Sequence, residues 1–152
     1  MPRSGLKTVL AITILSGAAI FVAFPDYVDL QSAPSPDEFL GVLGDATPRA
    51  TAAAVMDLVF SLAYGMLGVL AFAWVASGVP RLIGTIAIVG AALADEVENA
   101  FVLFALRDGS DLKASTIDAM STAGGIKWGL IVTAVVLFLA LTGQRWLDER
   151  RS

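Results

Sequence analysis

Four long apolar runs separated by polar breaks divide this chain. The first covers Thr8 to Phe24, behind a short basic start with Arg3 and Lys7. Pro25 closes it, because proline disfavours helical backbone in the residue before it and has no amide hydrogen to donate. The second opens at Thr47-Pro48, with Thr47 as N-cap and Pro48 as the first helical residue, and stays apolar to about Ala76. Ser77-Gly-Val-Pro-Arg81 reads as a tight turn, and a third run follows from Leu82 to about Leu106. Beyond the polar stretch Arg107-Asp-Gly-Ser-Asp111, the clearly apolar section Trp128 to Leu141 falls short of the roughly 20 residues that a bilayer crossing needs. A fourth helix must therefore recruit Ala119 to Ile126, which draws Lys127 inward. The pattern predicts helices over about 6–24, 48–76, 82–106 and 115–146.

Between the first two runs, Asp26 to Arg49 reads as a polar loop, with Asp26, Asp29, Asp37, Glu38 and Asp45 against one arginine. Within it Ser35-Pro-Asp-Glu38 is a helix-start signal: Ser35 as N-cap, Pro36 at the first position and Glu38 placed to close a capping box. A short helix from Pro36 to about Val42 would lay Phe39, Leu40 and Val42 on a membrane surface; an ordered connector is the plainer alternative.

Composition turns these runs into a class. Charged residues make up 16% of the 152 residues, against the roughly 25% of soluble domains, and 57% are hydrophobic. The expectation is an all-α, polytopic membrane protein, with four transmembrane helices in a compact bundle forming a single domain over 1–152. Four spans leave little chain for a soluble catalytic domain. A cleaved signal peptide competes for the first run. Signal peptides carry apolar cores of about 7–15 residues, shorter than this run, and the best small-residue site, Gln31-Ser-Ala33, is followed by Pro34. The first helix is expected to stay.

Cysteine and histidine are both absent. That excludes disulfides, thiolate sites, cysteine nucleophiles, the usual zinc, haem and copper ligands and the commonest general base. Carboxylates, Lys127, Tyr64, hydroxyls and backbone are left to carry any chemistry, and no metal or cofactor is expected. No basic block suggests nucleic acid.

Basic residues near the span ends set orientation. Arg3, Lys7, Arg81, Arg145, Arg150 and Arg151 fall on one side, and Arg49, Arg107 and Lys113 on the other. Both termini are predicted cytoplasmic, in a multi-pass protein of the inner (cytoplasmic) membrane. Trp74, Trp128 and Trp146 read as membrane anchors or packing residues.

The third run contains what a membrane helix should not. Ala94-Asp-Glu-Val-Glu-Asn-Ala100 puts three carboxyls and a carboxamide inside it, and ionisable groups at membrane depth are costly, inward-facing and paired. With 1.5 Å rise per residue, Asp57 lies roughly 9 Å below the outer surface, Asp95 and Glu98 roughly 12 to 17 Å, and Lys127 about 12 Å. Asp95, Glu98, Asn99 and Val102 share one helical stripe, with Glu96 at its margin. Asp57, Ser61, Tyr64, Gly65 and Gly68 share another, Ala123, Gly124, Lys127 and Ile131 a third, and Thr13, Ser16 and Gly17 a fourth. The expected ligand- or proton-binding set is Asp57, Tyr64, Asp95, Glu96, Glu98, Asn99 and Lys127, with Lys127 against the acids.

One lysine does not neutralise four carboxyls, so the surplus must be protonated, solvated or bound to a cation. Three functions fit. The first is binding or translocation of protons or a small cation, where the chain's small size points to a homo-oligomer. The second is an enzyme acting on a lipid or isoprenoid, with Asp95 and Glu98 as acid and base and Lys127 or Tyr64 steadying charge. In the third, the protein is a structural or accessory membrane subunit whose polar cluster only fixes helix packing. The lipid bilayer is the partner common to all three.

Overall fold

The computed structural model describes residues 3–151, with side chains from Thr8 to Arg150. The side chains of Arg3, Lys7 and Arg151, on which the orientation partly rests, lie outside the described residues. Among the described residues every regular element is helical: α1 spans Arg3–Ala23, α2 Tyr27–Gln31, α3 Pro36–Leu43, α4 Thr47–Val75, α5 Gly78–Asp108 and α6 Ala114–Arg151, with a 3-10 turn at Gly109–Asp111.

Local chemistry sets most of the boundaries. Ser35 caps α3 with extended backbone and accepts the Glu38 amide on its hydroxyl at 3.3 Å. At α4 the cap moves one residue back, to Ala46, and Thr47 is already helical, its own backbone carbonyl taken by the Thr51 hydroxyl. Helix α5 begins at Gly78 rather than Leu82: the Ser77-to-Arg81 turn shrinks to Ala76 and Ser77, and Pro80 sits in the first helical turn, where a missing amide costs nothing. The α1 end is held by a side chain, since Arg49 Nε donates to the Ala23 carbonyl at 2.9 Å, a cation at the electronegative end of a helix.

Helices α1, α4, α5 and α6 stand side by side in a row, α1 on α4, α4 on α5 and α5 on α6. Helices α1 and α6 are not packed along one another, which leaves a lengthwise opening between them. Small residues let the middle pair close up. A Cβ on Gly65 would come within 2.9 Å of the Ala92 Cβ, and one on Gly84 would overlap the Phe72 ring.

Two apolar cores result. The larger lies at the end of the row that carries α2, α3 and the 3-10 turn, and joins Phe24, Tyr27, Leu30, Phe39, Leu43, Leu112, Ile117 and Met120 to the helix tops. The smaller, at the end carrying the termini, consists of Phe72, Val75, Ala87 and Ala134. The segment from Asp26 to Arg49 is therefore a folded cap: Phe39 is fully buried, and Leu40 and Val42 pack against the core instead of lying on a membrane surface. Leu30 and Phe39 give the cap an apolar underside that the polar reading of this stretch overlooked.

The long helices are inverted relative to a soluble protein. Leu15, Val22, Leu62, Leu82, Ile86, Leu93, Val136 and Leu139 are all more than half exposed, while Asp57, Asp95, Glu98, Asn99 and Lys127 are buried. Helices α4 and α6 are long and apolar enough to cross a membrane, and α1 offers a shorter apolar stretch, Thr8–Ala23. Only 28% and 17% of the apolar windows of α4 and α6 are buried inside the protein, so these are not the covered core helices of a soluble fold.

Candidate functional site

The acids of α5 project toward α6 and α4 because Asp95, Glu98, Asn99 and Val102 fall on one stripe of a 3.6-residue helix. Lys127 comes down from α6 between two of them. Its Nζ lies 3.1 Å from Asp95 Oδ1 and also contacts Glu98 Oε2. Room for the Glu98 carboxylate comes from Gly124, where a Cβ would stand 2.9 Å from Glu98 Oε1. Lys127, Asp95 and Glu98 are 7%, 3% and 4% exposed, so each is screened little by water and each holds the others in place.

Asp57 is not paired with the lysine; it makes no ion pair among the described residues. Its Oδ2 accepts Gln31 Nε2 at 3.1 Å, and the same Nε2 reaches Asn99 Oδ1 at 3.2 Å. The Tyr27 hydroxyl donates to that Asn99 oxygen at 2.8 Å. The Asn99 amide nitrogen lies beside Asp57 without a hydrogen bond of good geometry. Glu96, half-buried at the stripe margin as its position implied, accepts the Ser61 hydroxyl at 2.5 Å. The Tyr64 hydroxyl is buried next to Asp95, again without a well-directed partner. In α1 the hydroxyls turn back on their own helix, Thr13 to the Val9 carbonyl and Ser16 to that of Ile12, so this face contributes smallness and no interhelical bond.

The structure places the seven expected residues in three sets: Lys127 holds Asp95 and Glu98, with Tyr64 beside Asp95; Asp57 and Asn99 share Gln31; and Glu96 stands apart on Ser61. It adds two that sequence reasoning missed, Tyr27 and Gln31, both from α2. Their signal was present in Tyr27, Leu30 and Gln31, spaced one helical turn apart just after Pro25. Burial, then the negative fields of Asp57, Glu98 and Asp95, hold the Tyr27 phenol above its ordinary value. It stays a neutral donor.

Two cavities meet at this layer. A groove of about 410 Å³ runs between α1 and α6; α4 and α5 form its floor, α2 closes one end, and Asp57, Tyr64, Asp95 and Lys127 line it together with Gly17, Ile20, Phe21, Phe60, Ile88, Trp128 and Ile131. A cleft of about 350 Å³ lies between α2 and α6, lined by Glu98, Lys127, Ser32, Ser121, Gly124 and Gly125. Val28, Gln31, Lys127 and Trp128 border both. Asp95 therefore faces the groove and Glu98 the cleft, with the lysine between. Among the described residues no three carboxylates converge closely enough to hold a metal ion. No family model, curated protein or solved structure matches the chain.

Proposed function

We propose that this is a four-span membrane protein of the inner membrane, both termini cytoplasmic, that exchanges protons between its two cavities. The large exposed apolar side chains on all four long helices support the spanning reading, because such a surface in water would associate. Helix α5 carries Asp95 and Glu98 turned inward onto Lys127, which is how a spanning helix keeps ionisable groups from lipid.

The observation that carries the proton reading is the position of Lys127, in contact with one carboxylate on each cavity. Consider one extra proton shared by Asp95 and Glu98 beside the ammonium. With Glu98 protonated, the lysine gives a proton to the Asp95 carboxylate and takes one from Glu98. Asp95 ends neutral, Glu98 ends charged, and the lysine is again an ammonium. The trio carries no net charge before or after, so the proton moves from cleft to groove without a change of buried charge, the term that dominates in a low dielectric. Asp57, held by Gln31, is the next acceptor in the groove.

The geometry supports this over a carboxylate acid and base acting on one lipid, since a substrate in the groove would touch Asp95 and not Glu98. The test is proton flux into liposomes carrying an internal pH dye, driven by a potassium diffusion potential. The wild type is expected to exceed protein-free liposomes, and Glu98→Gln to lose at least tenfold of that rate. A Glu98→Gln protein that conducts like the wild type, or a wild type that matches empty liposomes, sinks the reading and leaves a network that only fixes helix packing.

A further inference from the structure

The geometry points to the groove between α1 and α6 as a binding site for a lipophilic organic cation that enters sideways from the membrane, its charged head over Asp57 and Asp95. This inference rests on the spanning reading above and goes beyond proton exchange, which needs no occupant in the groove. Three observations carry it.

The first is access. Helices α1 and α6 are unpacked from each other, and Phe21 and Trp128 at the lips are 58% and 62% exposed, so on the spanning reading the groove has a side that faces acyl chains. The second is size and lining. About 410 Å³ lies within the range of small-molecule pockets, which is roughly 300 to 1,000 Å³, and the walls are alkyl and aromatic, including Phe60 packed on Tyr64 with ring centroids 5.4 Å apart. Aromatic faces suit a diffuse cation as well as an alkyl chain.

The third is charge, which selects among lipophilic occupants. Among the described residues Asp57 makes no ion pair, and Lys127 is shared between Asp95 and a carboxylate outside the groove. With both groove carboxylates ionised, the floor carries more negative than positive charge. An acyl chain alone would leave that imbalance buried, and a fatty acid would worsen it. An ammonium or phosphonium offsets it.

Tritiated tetraphenylphosphonium is the probe, with binding measured at equilibrium on the whole protein in a neutral maltoside. Saturable one-site binding is expected, at least tenfold weaker in Asp57→Asn, where the Gln31 contact can persist on the amide oxygen. The same loss is expected in Ile131→Trp, which fills the groove and replaces neither partner of an ion pair. Should Asp57→Asn fail to give a monodisperse protein, Ile131→Trp decides. Absence of saturable binding, or unchanged affinity in Ile131→Trp, overturns the site. Displacement of the probe by triphenylphosphine oxide or oleate at affinities equal to its own overturns the cationic specificity. Proton flux in a wild type that binds no probe would sink this inference alone, whereas binding without flux would sink proton exchange alone.

Discussion

The two ends of the helix row are held together differently. At the capped end, α2 and α3 join the long helices, apolar contacts run from Phe24 to Met120, and the polar layer hangs beneath them by Tyr27 and Gln31. At the terminal end the apolar core among the described residues comes from α4, α5 and α6, through Phe72, Val75, Ala87 and Ala134. There a surface contact, Arg145 to the Trp74 carbonyl at 2.8 Å with its guanidinium over the indole, replaces a cap. The contrast teaches that specificity at one end lies in directed polar bonds, and at the other in how closely backbones can approach.

The largest way to break that contrast is Lys127→Met. Removing one partner from a buried ionic group leaves the others uncompensated, at a cost of about 3–5 kcal/mol. Thermal unfolding in detergent is expected to show the largest drop of the set, partly recovered when Glu98→Gln is added, because one of the two carboxylates that the lysine held is then neutral. A double variant no better than the single would show that the lysine acts through packing.

Gly84→Val probes the other end. Its Cβ would strike the Phe72 ring, so α4 and α5 must part, at about 1–3 kcal/mol. Stability should fall while the capped-end network persists, which proton flux would report as near-normal. Equal loss of flux would mean that the two ends are not separable.

Tyr27→Phe is the mildest. It removes one buried hydrogen bond, at about 1 kcal/mol, and leaves Asn99 Oδ1 with Gln31. It also has a pH signature. The folded phenol is held above its ordinary value, so the stability it confers is full below about pH 10, the unfolded value, and is lost as the pH rises beyond it. The stability difference between wild type and Tyr27→Phe should therefore narrow under strong alkali; a gap independent of pH would contradict the buried, neutral phenol.

Much of this arrangement was legible in the residues. Depth counted at a fixed rise and angle counted at 3.6 residues per turn bring Lys127 to Asp95 and Glu98, because long helices are regular and errors do not build up over a few turns. The same counting put Asp57 in the right layer but with the wrong partner. What it lacked was α2: the one-turn spacing of Tyr27, Leu30 and Gln31 is a single repeat, and the acidic neighbours Asp26 and Asp29, both exposed, mask it. The groove was equally invisible, since four apolar stripes specify that helices pack and not that the first and last leave a gap.

The order of packing also bears on how the chain is made. Each long helix leans on its neighbour in sequence, so α4, α5 and α6 each meet a partner already in place, but the acids of α5 do not. Helix α5 carries its acids before Lys127 exists, and the counter-charge arrives 32 residues after Asp95. On the spanning reading α5 and α6 must enter the bilayer as a hairpin, and a nascent chain stopped at Gly109 should leave α5 outside it. Glycosylation mapping would show this; full insertion of the stopped chain would mean that the acids find another partner during synthesis.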